Sequence, residues 1–444
     1  MIKSLERKHL TPWPLESLNP LLQLNWRKTP FSKIIFSIIF IMSLTLMTHA
    51  GAETTPKVQT LPIKLHASNI LPKELLAASS YRVKENVWND GFVNTYELDT
   101  TYGPLKVEST ALLMIRINEL RALQRMEALK KSKVFQDALK ASVKGPLKTA
   151  KGLVTSPVKT VTGTVTGVGR WFSDVGRSMV SSDPHQEGAI KTAIGHAPAK
   201  RKFAYEFGID PYSSFKPLQE ELNDIAWTAT GGGLTIKAAF SAIKDTPGTV
   251  VSATGSAAGM RMLVRDKSPA ELDKINKKKL KAMGVPDTLL NEFLKNPHYN
   301  PQEETLLVGA LDSLKGVKGR DVFVRSAYLA TEESVALFMR LKAEMMANYH
   351  ANVLPAARVV KVNGVPFLQR KDRVIVGLVP LDYVAWTAAL LRKEGAASES
   401  IKTLPKITGK ELWIEGMVDP VTRKALEAKG WKVEDNVGEK LIKK

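Results

Sequence analysis

Apolar residues recur along this chain with two different periods, and the places where the period changes mark the predicted elements. From Tyr81 to Glu108 (YRVKENVWNDGFVNTYELDTTYGPLKVE) apolar and polar residues alternate between turn residues, the pattern of short strands with one buried face. Asn89-Asp90-Gly91 and Tyr102-Gly103-Pro104 supply the turns, because a tight hairpin needs positive φ, which Asn, Asp and Gly tolerate. Three short strands are too few to be stable alone, so they must pack on the next segment of the chain. From Thr110 to about Val143 the period becomes helical: Leu113, Ile117, Leu120 and Leu123, then Phe135 and Leu139, recur at intervals of three and four.

The region from Asp210 to about Asn352 is helical throughout. Ser268-Pro269-Ala270-Glu271 and Asn300-Pro301-Gln302-Glu303 each offer a capping side chain, a proline at the first helical position and a glutamate able to reach back to the cap. Thr331 is expected to cap a further helix with Val335, Leu337, Phe338, Leu341 and Met345 as its buried stripe. In the last part of the chain Asn363-Gly364 turns a hairpin, with a third strand after it, and LDYVAWTAALLRKEG reads as a helix. A linker, AASESIKTLPKITG, then leads to ELWIEG, a helix opening at Asp419-Pro420, and WKVED, together a βαβ unit.

The stretch from Lys144 to Met179 has its own period. Pro146 and Pro157, Lys148, Lys159 and Arg170, and Gly152 and Gly163 each recur at eleven residues. Eleven residues make three helical turns, so an α-helix would carry Leu147, Ala150, Val154, Val158, Val161, Val165, Val168, Phe172, Val175 and Met179 as one nearly straight apolar stripe. Such a helix would be on the order of 50 Å long. Its glycines and Pro157 would cost about 8 kcal/mol, so something must cover the stripe. Three readings compete: packing on the protein's own helices, contact with a membrane or partner, and a β-strand through VKTVTGTVTGV. In the second reading Lys148, Lys151, Lys159, Arg170 and Arg177 lie among phosphates, Val158, Val165 and Phe172 face the acyl boundary, and Trp171 sits at the interface. In period and composition the stretch resembles the eleven-residue amphipathic repeats of apolipoproteins and synucleins, a likeness of physical habit confined to this segment.

A second apolar segment, Ala226 to Val264, is split by a turn at Asp245-Thr246-Pro247-Gly248 into two arms, each too short to span a bilayer. Gly255 and Gly259 have the GxxxG spacing that lets helices approach closely, so a tightly packed helical hairpin, or one dipping into a leaflet, is expected there.

Charge and composition then set the compartment and the partners. The chain is 44% hydrophobic and 24% charged, the balance of a globular protein rather than a disordered or polytopic membrane one. A basic lead (Arg27, Lys28, Lys33), an apolar run from Ile34 to Met47 and Ala50-Gly51-Ala52 together read as a signal peptide cleaved after Ala52; retention as an N-terminal anchor is the alternative. Loss of residues 1–52 removes six Lys/Arg and two Asp/Glu, leaving 58 basic against 42 acidic side chains, a net charge of +16. That excess favours an anionic partner. For an exported protein this means lipid headgroups or an envelope protein rather than nucleic acid.

Motifs for chemistry are missing. There is no cysteine, and the histidines at 9, 49, 66, 185, 196, 298 and 350 are all more than four residues apart, so neither a disulfide nor a local metal motif is available. No nucleophile elbow or phosphate loop occurs, and no cofactor is expected.

The expected architecture is α+β and predominantly helical. It runs as a signal peptide (1–52), a small N-terminal β-meander (53–109), a helix plus the eleven-residue amphipathic repeat (110–180) and a linker (181–202). A central all-helical region (203–352) and a small C-terminal α/β domain (353–444) complete it. The function this implies is an exported, periplasmic, non-enzymatic binding or scaffold protein that touches a membrane peripherally. The alternatives are a hydrolase with a site between the helical and C-terminal domains, His298, His350 or Asp382 serving it, and a homo-oligomer using the stripe as its interface.

Overall fold

The computed structural model describes residues 57–144, 195–244 and 255–442. Its architecture is α+β and predominantly helical, with an antiparallel sheet first, helices in the middle and a second sheet with helices last.

The N-terminal sheet has six strands: β1 (Ile63–His66), β2 (Ala77–Ala78), β3 (Tyr81–Val83), β4 (Asn86–Asn89), β5 (Asn94–Thr100) and β6 (Gly103–Glu108), with two single-turn helices, α1 (Ala67–Ile70) and α2 (Lys73–Leu76), between β1 and β2. All pairings are antiparallel. β5 is the centre: β3 and β4 lie one after the other along one of its edges and β6 covers the other. Alternation along β5 points Tyr96 and Leu98 inward with no exposure. They meet α3 (Thr110–Lys131), whose Leu113, Ile117, Leu120 and Leu123 are buried as their spacing requires. The helical run breaks at Ser132, whose hydroxyl accepts from Phe135 N, and resumes as α4 (Lys133–Lys144). Helices α5 (His196–Phe207), α6 (Lys216–Gly232) and α7 (Ile236–Ala242) complete this core with Phe203, Phe207, Leu218, Leu222 and Ile225. α5 begins inside the stretch read as linker, and its His196, Ala197 and Arg201 are buried.

A second core forms around α9 (Pro269–Ala282), α10 (Asp287–Leu294), α11 (Pro301–Ser313), α12 (Arg320–Tyr328) and α13 (Glu333–Asn352). Between the two cores α8 (Gly255–Asp266) packs on α5 of the first and α11 of the second. The Ser268 capping box is present as expected, with Ser268 Oγ and Glu271 exchanging bonds with each other's backbone. Thr331 does not cap α13: the N-cap is Glu332, without a side-chain bond. Nor is α13 buried along a stripe alone, since consecutive residues from Met339 to Ala343 are all covered.

The second sheet is mixed. β7 (Ala356–Val362), β8 (Val365–Arg370) and β9 (Val374–Val379) are antiparallel, turned at Asn363-Gly364, both with positive φ. β11 (Gly409–Ile414) then pairs parallel to β9, and β13 (Trp431–Glu434) parallel to β11 across α15 (Pro420–Ala428), the expected βαβ unit. Two short strands, β10 (Tyr383–Val384) and β12 (Met417–Val418), pair apart from this sheet, and α16 (Gly438–Leu441) packs back on α13. α14 (Ala388–Lys402) starts later and ends later than its sequence pattern suggests. Thr387 caps it, and AASESIK is helix rather than linker. Among the middle helices, α5–α7 pack in the core of the first sheet and α9–α13 in that of the second.

Candidate functional site: a charged seam between the two cores

Charged side chains from both cores meet along one seam. On the second core's side the α11 cap forms as its sequence predicts, Asn300 Oδ1 accepting from Gln302 N (3.0 Å) and Glu303 N (2.9 Å). Glu303 does not return to the cap. Its carboxylate accepts instead from Arg340 Nε of α13 at 2.8 Å, while Arg340 Nη1 donates to Glu344 at 2.9 Å. A desolvated guanidinium outcompetes an N-terminal amide because an unpaired buried charge is far more costly than an unpaired peptide group.

The first core contributes the loop between α5 and α6. Asp210 there accepts from Tyr212 N (2.8 Å) and, across the seam, from Asn300 Nδ2 (2.8 Å). Beside it the buried pair Arg116 and Glu119 of α3 is bonded together, with Ser213 Oγ donating to Glu119 and the Arg116 guanidinium lying 5.0 Å from the Phe215 ring. Arg261 of α8 completes the group; its Nε has no hydrogen-bond partner. Loss of water governs the carboxylates. Desolvation, then the charge of Glu303, pushes Asp210 up to about 7 despite its two donors, and burial raises Glu344 even with Arg340 beside it.

Asp382 forms a second node. The Asn89-Asp90-Gly91 turn is present, with Gly91 at φ +96°, and residues 382–387 clasp it through Asp382 N to Phe92 O (3.0 Å) and Ala385 N to Gly91 O (3.2 Å). Asp382 Oδ2 accepts from Asn94 N (2.8 Å) and Oδ1 from Thr110 N (2.9 Å). Behind it a chain of bonds links Asn89, Asn94, the Tyr96 hydroxyl and the Thr110 hydroxyl. Burial pushes Asp382 up to about 6, against those two N–H donors. The carboxylate does stand near a hydroxyl, but each oxygen already holds a main-chain N–H, so Asp382 acts as a clasp between N-terminal sheet and C-terminal segment. His350 Nδ1 accepts from Ala356 N at 3.0 Å, tying the end of α13 to β7. His298 lies near Glu332, and burial lowers its pKa.

Lys148, Lys151, Val158, Lys159, Val165, Arg170, Trp171, Phe172 and Arg177 lie outside the described residues, as does the expected signal peptide. The structure does show where the repeat leaves and rejoins the fold. The chain departs from α4 and returns at Gly195, the start of α5, and both helices pack on α6. A β-carbon on Gly232 would come within 1.8 Å of Ala138 O, and one on Gly195 within 3.7 Å of Thr230, so α4 and the return point both lie at the C-terminal end of α6. The other undescribed stretch, residues 245–254, leaves α7, which packs on α4, and returns at α8, which packs on α5. The four chain ends thus lie on α4, α5, α7 and α8: α4 and α5 both pack on α6, α7 packs on α4, α8 packs on α5, and Phe240 of α7 also lies against the Phe203 and Phe207 rings of α5. A shallow cavity of about 240 Å³, lined by Pro198, Phe203, Leu234 and Ile236 with Lys202, opens beside Gly195. Lys140, Lys202, Lys237 and Lys244 are exposed on or beside these helices.

The GxxxG expectation is corrected at Gly259: a β-carbon there would meet nothing within 4 Å, and the side of Gly255 is not described. The two arms pack chiefly on other helices, and the close approaches are at Gly232, against Ala138, and at Gly309, where Met260 fills the space. The spacing of small residues signals the ability to approach, and neighbours decide whether approach occurs. Arg340, Asp210 and Asp382 carry no sequence motif, because the partners that place them in the site, Glu303, Asn300 and Asn94, are tens to hundreds of residues away.

Among the described residues no helix is long and apolar enough to cross a membrane, and no group of three or more His, Asp or Glu could hold a metal ion. No family model, curated protein or solved structure matches the chain.

Proposed function

We propose that this is an exported bacterial envelope protein that works by binding, its basic eleven-residue repeat resting on an anionic membrane surface from the periplasmic side. The observation that carries the reading is that the basic repeat joins the fold between α4 and α5, two helices that both pack on α6. Residues 145–194 connect α4 to α5 and residues 245–254 connect α7 to α8, and Lys140, Lys202, Lys237 and Lys244 are exposed on or beside these helices, with Asp137 and Glu206 among them. Folded as a helix, the repeat would present apolar stripe and cations together, the combination that interfacial helices need. The body behind it, its cores tied by the Asn300–Asp210 bond, serves as the scaffold that holds that repeat.

Sedimentation of residues 53–444 with vesicles tests this. Vesicles containing phosphatidylglycerol are expected to pull down the protein at low ionic strength and release it at high, while phosphatidylcholine vesicles do not. The triple variant Lys148→Glu, Lys159→Glu, Arg170→Glu is expected to bind at least about tenfold more weakly. Equal binding to neutral vesicles, no binding to either, or an unaffected triple variant would overturn the reading; an envelope protein would then be the partner to seek.

A further inference from the structure

The charge count of the seam is uneven. Asp210, Glu303 and Glu344 face two guanidiniums, Arg340 and Arg261, and Arg340 is taken by Glu303 and Glu344. The third guanidinium nearby, Arg116, is bonded to Glu119. Among the described residues Asp210 forms no ion pair: its hydrogen bonds come from two neutral donors, the Tyr212 amide and the Asn300 side chain, and the charge of Arg261 reaches it without a bond, against the like charges of Glu303 and Glu119. Glu333, at the start of α13, adds a further carboxylate near Arg116, Glu119 and Glu303.

We propose that the contact between the two cores is a proton-operated joint: Asp210 holds a proton when the cores are closed on each other, and loss of that proton loosens the seam. A partly buried carboxylate that forms no ion pair, in a cluster with more carboxylates than guanidiniums, is neutralised most simply by a proton. The position of Asp210 makes the proton matter beyond one residue. It sits on the α5–α6 loop of the first core, and its bond to Asn300 reaches the cap of α11 in the second, so repulsion from Glu303 acts directly across the joint. With the proton present, the Asn300 bond survives and the repulsion is gone.

Linkage fixes the sign. The carboxyl is pushed from an ordinary 3.8 up to about 7 in the folded chain. Its contribution is therefore whole below the unfolded value and is lost as pH rises through about 7. Acid closes the joint and alkali loosens it. This inference does not rest on the lipid reading and holds wherever the protein resides.

Hydrogen exchange on the complete mature chain, between about pH 5.5 and 8.5 and corrected for the intrinsic pH dependence of exchange, reads the opening of segments 208–215 and 296–304. Opening is expected to increase at least about tenfold over that range in the wild type and to stay nearly constant in Asp210→Asn. A flat wild-type profile, or an Asp210→Asn profile as steep as the wild type, would overturn the joint. Should Asp210→Asn fail to fold, the carboxyl carbon shift of Asp210 in the unaltered chain decides: a midpoint near 7 supports the proposal, and one below about 5 overturns it.

Discussion

The carbonyl oxygen of Ala138 stands 1.8 Å from the place a β-carbon on Gly232 would occupy, so α4 and α6 meet backbone to backbone. Gly232 is helical, and what forbids a side chain is the neighbour rather than the local backbone. Gly232→Ala must push α4 away from α6 at Ala138, midway along α4. The expected loss is about 1–3 kcal/mol, measured as a lowered urea midpoint. An unchanged midpoint would show that α4 is free to yield.

Lys342 lies with no exposure under the second sheet, its ammonium donating to Leu378 O with the Phe367 ring centre 5.4 Å away. Burial lowers its pKa from 10.5 to about 7. Because the unfolded chain holds this proton up to its higher pKa, the folded state gains stability as pH rises from about 7 toward 10.5, the opposite slope to that of Asp210. Lys342→Met keeps the length of the side chain and drops the charge. It is expected to stabilise the protein at pH 7 by about 1–4 kcal/mol and to flatten the alkaline slope, both visible in denaturation midpoints against pH. A destabilised variant would mean that the bond to Leu378 outweighs the cost of burying the amine.

Asp382 holds the amides of Asn94 and Thr110, 288 and 272 residues away in sequence. Asp382→Ala leaves both donors without an acceptor, which is expected to cost about 2–4 kcal/mol and to speed exchange at those two amides ahead of the rest of the sheet. Asp382→Asn should fall between, since an amide offers one acceptor oxygen and sets a donor against the second N–H. Uniform protection in both variants would show that the clasp at Phe92 and Gly91 suffices without the carboxylate.

Much of the fold was legible because it depends on neighbours in sequence. Asn363-Gly364 turns its hairpin, Ser268 and Glu271 close their capping box, Asp419 caps α15, and the spacing of Leu113, Ile117, Leu120 and Leu123 buries one face of α3. Readings that assumed a local partner failed where a distant one was stronger: Glu303 took Arg340 in place of its own cap, and Gly259 found no helix to approach. The strands outside the alternating stretch, β1 and β2, are two to four residues long, too short to raise a period, and exist because β4 and β3 offer them free edges.

Chain order and short-range chemistry were enough to set the kinds of elements, most of their ends and the cationic repeat, since a cap, a turn or an apolar period spans only a few residues. The division of the middle helices between two cores, the uneven charge around Asp210 and the burial of Lys342 came only with folding. Each depends on which surfaces lose water together, and that is a property of the packed molecule rather than of any stretch of it.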